Sequence, residues 1–182
     1  SSVSDQLSSG VSKIFSTSTS FAALKEDGSV VTWGKDYEGG DSSSVSDQLS
    51  SGVSKIFPLN SAFLALKDDG SVVAWGDPTG GGDIRSVSDQ LRSGFSQIFS
   101  TASGIAALKD DGSVVSWGDY WSGGDSSSVA SQLQSGVSQI FSANGAFAAI
   151  KDDGSVITWG NSASGGDSSS VASQLQSGVS QI

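Results

Sequence analysis

The string Asp-Gly-Ser-Val returns at a fixed interval, beginning at Asp27, Asp69, Asp111 and Asp153, each 42 residues after the last. No insertion breaks the period. A unit of this length cannot enclose its own apolar residues, so each copy must bury them against its neighbours. The 182 residues therefore read as a single repeat array. Its units run approximately 1–42, 43–84, 85–126 and 127–168, with a partial unit 169–182.

Each unit opens on a helical signal. In Ser44–Gly52, Ser44 can cap the N-terminus with Asp47 three residues on, Val45 and Leu49 share a face, and Gly52 suits a left-handed stop. Val53–Phe57 alternates as a strand does and carries β-branched and aromatic residues. Then comes Phe21–Gly34 and its copies, in which Asp-Gly separates two apolar runs and predicts a β-hairpin. Phe21 and Ala23 face one way and Ala22 and Leu24 the other, while Val31 and Trp33 oppose Val30 and Thr32. Both faces are apolar, so the sheet is expected to be covered on both sides, most simply by the next unit's sheet about 10 Å away. Trp33, Trp75, Trp117 and Trp159 are assigned to this packing between repeats, each worth on the order of 150 to 250 Å² of buried surface.

Composition removes several functions. With a formal net charge of -10 and nine Lys and Arg in all, no basic cluster exists to neutralise a phosphate backbone, and nucleic acid is not an expected partner. The absence of Cys and His excludes disulfides, thiolate or imidazole metal sites, and Ser-His-Asp or Cys-His catalysis. No phosphate-cradling glycine motif occurs, and no enzyme activity is expected. No apolar run approaches 18 residues, so membrane insertion is not expected. A start at Ser1 with no Met reads as an excerpt or processed part of a longer soluble protein.

The remaining candidates are weighed against plain structural roles. The acidic pairs Glu26-Asp27, Asp68-Asp69, Asp110-Asp111 and Asp152-Asp153 are read as turn formers, since Gly follows each. Lys25, Lys67, Lys109 and Lys151 precede them and are read as surface charge partners of those acids. The Gly-Gly-Asp segments ending in Asp41, Asp83, Asp125 and Asp167 partly match calcium-binding nonapeptide repeats. They lack that motif's further Gly and short period. Calcium is the one cofactor these oxygens could take. The loops after each Trp-Gly vary most between copies, and Tyr37, Tyr120 and Trp121 in them are candidate contacts for a glycan or protein partner.

The string Ala-Leu-Lys-Asp-Asp-Gly-Ser-Val-Val-Ser-Trp-Gly at 107–118 and its copies resemble the blade signature of the regulator of chromosome condensation repeat family, whose members form β-propellers. The resemblance covers about a third of each unit and implies a blade-like fold. The family's Gly-His pair before the hairpin is missing, and Gly-Gly-Asp-Ser-Ser-Ser replaces its Gly-Gln-Leu-Gly. Guanine-nucleotide exchange and chromatin binding, known for some members, carry over to no residue here. Residues 1–14 repeat the pattern of 169–182, so a ring of four units would have two segments competing for one place. The expected fold class is thus a mainly β tandem-repeat array. Each unit is a short helix plus three antiparallel strands, stacked face to face in an open superhelix, with part of a closed propeller as the alternative.

The function these features imply is structural: a segment of a large fibre or surface scaffold, extracellular or on a bacterial cell surface, associating with itself or continuing the same array. The alternative is a propeller-like binding module, an adhesin or lectin, that recognises a glycan or protein through its variable loops.

Overall fold

The structure, a computed structural model, describes residues 3–92 and 94–182. Ser1, Ser2 and Ser93, which the unit boundaries above include, lie outside the described residues. The chain divides into two compact units, Ser1–Ser93 and Gly94–Ile182.

The first unit holds two three-stranded antiparallel sheets. Blade 1 is β1 (Val11–Ser16), β2 (Ser20–Lys25) and β3 (Val30–Gly34); blade 2 is β4 (Val53–Pro58), β5 (Ala62–Lys67) and β6 (Val72–Gly76). The second unit repeats the plan. Its blade 3 is β7 (Phe95–Ser100), β8 (Gly104–Lys109) and β9 (Val114–Gly118), and blade 4 is β10 (Val137–Ser142), β11 (Ala146–Lys151) and β12 (Val156–Gly160). Strands pair only within their own blade among the described residues. No helix there is long and apolar enough to cross a membrane.

The hairpins form where Asp-Gly predicts them. Gly28 takes φ +75°, a left-handed conformation that glycine adopts without strain. Asp27 Oδ1 accepts the N–H and hydroxyl of Ser29 at 2.9 and 2.6 Å, and the same two bonds close the other three tips. The first strand of every blade bulges one residue in, between Val11 and Lys13 and at the equivalent sites. At three of these bulges the extra serine bonds back to the neighbouring strand: Ser12, Ser54 and Ser138 donate to the carbonyls of Leu24, Leu66 and Ile150.

The two sheets of a unit share one core, as the two-sided apolar pattern requires. In the first unit Ala22 and Leu24 of blade 1 meet Ile56, Phe63, Ala65, Val73 and Trp75 of blade 2, with Leu49 and Val53 closing the edge. In the second, Ala106 and Leu108 meet Ile140, Phe147, Ala149 and Trp159, with Leu133 and Val137 in the edge positions. Backbone bonds also stitch consecutive repeats. Val53 N–H donates to the Gly28 carbonyl and Val137 N–H to that of Gly112, both at 2.9 Å. A Cβ on Gly28 would sit 2.7 Å from the nitrogen of Gly52, so the hairpin tip needs glycine both for its φ and for this approach.

The helical segments differ from expectation. The α-form occurs at α1 (Val3–Gln6), whereas Ser43–Val45, Ser127–Leu133 and Ser169–Gln174 are 3₁₀ and residues 85–91 form turns. Ser44 lies inside the first of these rather than capping it. Asp41 holds the turn instead, its Oδ1 accepting the Ser43 N–H at 2.8 Å. The reason is tertiary. The segment is pinned at both ends, by Thr32 Oγ1 on the Gly40 carbonyl and by the Val30 N–H on the Leu49 carbonyl. A serine-rich stretch of weak helix propensity yields to such anchors.

Candidate functional site

Each Trp-Gly pair ends a blade and launches a loop whose backbone satisfies itself. In the first copy, Gly34 turns with φ +119°, and the N–H groups of Glu38 and Gly40 return to the Lys35 carbonyl. Gly39 then packs beneath the next blade: a Cβ there would meet the Phe63 ring at 2.7 Å, and its carbonyl accepts the Trp75 indole N–H at 3.1 Å. The second unit repeats this with Gly123, Phe147 and Trp159, the indole bond again 3.1 Å. The loop base is thereby clamped and its tip is free to vary.

Trp75, Trp117 and Trp159 are all buried. Trp75 stacks on Phe63 and Trp159 on Phe147 at 5.3 and 5.2 Å between ring centroids, and Trp117 pairs with Ile105 in register. Trp33 stacks on Phe21 at 5.3 Å, on the face of blade 1 turned away from blade 2, and is partly exposed. The stack of phenylalanine on tryptophan is legible from the hairpin itself: Phe21 and Trp33 are each six residues from Asp27 and pair across β2 and β3.

The tips carry the exposed aromatics. Tyr37, Tyr120 and Trp121 all stand out into solvent, Trp121 the most at 70 % exposure. Tyr37 donates to Asp77 Oδ1 of the next repeat at 3.3 Å. The Asp77 carboxylate raises the Tyr37 pKa, so this phenol keeps its proton. Burial, the largest single influence on Asp77, pushes its own pKa up. Hydrogen bonds from Thr79, Gly80 and Tyr37 outweigh it and leave the carboxyl below its ordinary value. Glu38 is also held low by the Lys35 ammonium and the Thr19 hydroxyl, which anchor the same loop to blade 1.

Trp121 occupies the repeat position of Tyr37, and Asn161 that of Asp77. Tyr120 and Trp121 meet edge to face at 5.0 Å between centroids. With Asp125, Ser127 and Ser128 they wall a groove of about 290 Å³, closed on the far side by Gly160, Asn161 and Ser162 of the following repeat. Asn161 Oδ1 accepts the Ala163 N–H at 2.8 Å, which holds its side chain at the groove edge. The lining offers aromatic plates, hydroxyls, an amide and a carboxylate, a set suited to holding a polar ligand against a flat apolar surface. The loop of the second repeat, Pro78–Gly82, has no aromatic, and Gly80 and Gly81 are buried.

The other candidates are scattered by the fold. Asp41, Asp125 and Asp167 accept the N–H of the residue two positions on at 2.8 to 2.9 Å. Asp83 does the same to Arg85 and also pairs with its guanidinium, which holds that carboxyl down to about 2. No group of three or more acidic side chains able to hold a metal occurs among the described residues. Each hairpin lysine lies close enough to the tip aspartate two residues on for its charge to help lower that carboxyl's pKa, and Lys67 and Lys151 also donate to the carbonyls of Gln48 and Gln132 at 2.8 Å. The Gln132 carbonyl lies at the end of the 3₁₀ segment Ser127–Leu133, where a cation is favoured, and that of Gln48 in the turns after Ser43–Val45.

Four such blades, each clamped onto the loop before it where the pair lies in one unit, define a repeat protein of the β-propeller type. No family model matches the sequence, and no curated protein sequence does. Among solved structures the chain is similar to Prp20p from Saccharomyces cerevisiae, at 19 % identity and a TM-score of 0.52, over 81 % of this chain and 44 % of that one. The same yeast RCC1 (Prp20) bound by Kap60 matches at 19 % and 0.51, over 81 % and 43 %. The ectodomain of the Physcomitrella patens receptor kinase CR4 matches at 16 % and 0.53, over 82 % and 40 %. The chain thus spans less than half the length of each. The likeness is one of fold, and the fold is the RCC1-like blade repeat.

Proposed function

We propose that this chain is a propeller-like repeat module that binds a protein partner across the loops following Trp-Gly, centred on Tyr120 and Trp121. One observation carries the reading: large aromatics are held in solvent on loop tips that differ from copy to copy, while the frame beneath them repeats. Exposed aromatics beside a groove with hydrogen-bonding walls are what binding surfaces use as anchors. Prp20p, similar in fold, has binding properties to Gsp1p and histones and is bound by Kap60, which supports a protein over a glycan.

The test is selection of a displayed peptide library on the chain, with a glycan array as a separate arm. Enriched peptides are expected to lose about 30-fold or more in affinity on Trp121→Ser, the scale of an interface anchor. Peptides that bind parent and variant alike would place recognition elsewhere, and glycan hits sensitive to the same substitution would make the module a lectin.

A second reading keeps the chain as part of an extracellular or cell-surface structural array winding on as an open superhelix. It is favoured by the recurrence of one joint in both units, down to the indole bond of 3.1 Å. Identical interfaces can be extended without limit.

A further inference from the structure

The repeat shows one loop position in four versions. Asp41, Asp83, Asp125 and Asp167 are copies of one another, and each accepts the backbone N–H of the residue two positions on. In the second repeat that residue is Arg85, and its guanidinium folds back onto the carboxylate. Its Nε lies 2.9 and 3.1 Å from the two Asp83 oxygens, and its Nη2 lies 2.6 Å from Oδ2. The position is thus able to hold a guanidinium with both carboxylate oxygens. In the other copies the residue is Ser43, Ser127 or Ser169, which brings no charge. Of those three loops, the one ahead of Asp125 places two exposed aromatics, Tyr120 and Trp121, beside the carboxylate.

We infer that the groove walled by Tyr120, Trp121 and Asp125 takes an arginine side chain of the protein partner, which supplies from outside the guanidinium that Arg85 supplies from within. This rests on the reading of the groove as a protein-binding site and adds the chemistry of what is bound there. A guanidinium is a flat cation that stacks on aromatic faces, indole best of all. Tyr120 and Trp121 meet at 81° between ring planes, so a plate lying on one ring is edged by the other. A guanidinium is also a fork of donors. Asp125 is a carboxylate held in place by the Ser127 N–H at 2.8 Å and its hydroxyl at 3.1 Å, and its two oxygens have acceptor capacity beyond those bonds. The groove, at about 290 Å³, is at the small end of ligand sites and has room for one long side chain. Entering it costs a guanidinium less than it costs the more strongly hydrated ammonium of lysine.

The charge around the groove has the matching sign. The second unit carries seven acidic residues against two basic ones, Lys109 and Lys151. Both lysines stand at hairpin tips, and the loop leaves from the opposite end of the blade. Gly104 pairs with Gly118 at that end, and Lys109 is five residues farther along β8, about 17 Å away by strand rise. Asp119 sits at the loop base, where it accepts the Ser122 hydroxyl at 2.9 Å. No lysine or arginine lines the groove among the described residues. An incoming cation therefore meets carboxylates and aromatic faces without a competing charge. The loops of the first unit differ, since Lys35 there pairs with Glu38 and Arg85 with Asp83.

The probe is the tripeptide acetyl-Gly-Arg-Gly-amide, titrated into the full chain and followed by NMR at the Trp121 indole N–H, a signal assigned by its loss in Trp121→Ser. The lysine, citrulline and glutamate tripeptides are titrated beside it, citrulline having the shape of arginine without its charge. Arginine is expected to shift the signal saturably, lysine to bind about 3-fold more weakly or worse, citrulline about 10-fold or worse, and glutamate not to bind. Added salt should weaken the arginine complex. Asp125→Asn keeps a side-chain acceptor for the Ser127 N–H and removes the charge, and should weaken arginine about 10-fold. Ser127→Arg should do most, because it rebuilds the Asp83 and Arg85 arrangement inside the groove and closes it to the probe. No saturable shift with arginine, arginine no better than citrulline, or full binding to Ser127→Arg would each overturn the inference. The reading beneath it is judged separately, by the peptide selection. Enriched peptides that lack arginine and still need Trp121 keep that reading and overturn this one.

Discussion

Blades 1 and 2 carry nearly the same residues on corresponding faces, and only one of those faces has a blade against it. Phe63 and Trp75 are sealed; Phe21 and Trp33, stacked at the same 5.3 Å, are not. Burial here is therefore a property of the joint and not of the unit, and stability should follow the joint. The sharpest way to break that claim is to make one substitution in both copies. Phe63→Ala empties a fully enclosed site and should cost about 3 to 5 kcal/mol. Phe21→Ala, on the open face, should cost less than about 1 kcal/mol. Urea denaturation of the two variants decides it, and equal losses would mean that the repeats are stable singly.

Glycine gives a second contrast that isolates the clamp. Gly39 and Gly165 hold the same position with φ +103° and +96°. A Cβ on Gly39 would strike the Phe63 ring at 2.7 Å, while one on Gly165 would meet nothing within 4 Å. Both alanine variants bear the strain of a positive φ, about 1 to 2 kcal/mol. Only Gly39→Ala adds the cost of moving a packed ring, roughly 1 to 3 kcal/mol more. Thermal melts that coincide would show that the loop base is not clamped by the next blade. Trp75→Phe refines the point by keeping the aromatic stack and removing the indole donor to the Gly39 carbonyl. The expected loss is about 1 to 2 kcal/mol, the usual cost of leaving a buried acceptor unpaired.

Local signals carried much of this fold, and their failures are instructive. Asp-Gly located every hairpin because the φ it requires is a property of one residue. The two-sided apolar pattern announced covered sheets because alternation is read directly from the strand. The helical segments take 3₁₀ and turn forms that no local signal specifies, because their form depends on bonds such as Val30 N–H to Leu49 O, which join residues of different repeats. The bulges at Ser12, Ser54 and Ser138 left no pattern, since an extra residue in a short apolar strand only blurs the alternation. At the candidate site, variation between copies pointed to Tyr37, Tyr120 and Trp121. It could not reveal that Asp77 or Asn161 stands opposite, because that pairing is set by how one blade seats on the next.

The smallest expected effect concerns acid, and it compares the tips with the loop at Asp83. Asp27, Asp69, Asp111 and Asp153 are all held below the ordinary carboxylate value, first by the serine hydroxyl two residues on and then by its N–H. Asp83 is lowered further, to about 2, by the Arg85 guanidinium. A carboxyl whose folded pKa lies below its unfolded value stabilises the fold above about pH 4 and loses that contribution as pH falls through the folded value. Melting temperature should therefore be flat down to about pH 5 and then decline, the tip aspartates titrating before Asp83, whose share persists toward pH 2. Replacing the four tip aspartates with Asn should flatten the upper part of that decline and leave the lower part in place. An unchanged curve would mean that the tips keep their bonds when protonated, and that the joint beneath them, through Gly28 and Val53, holds the hairpins without the charge.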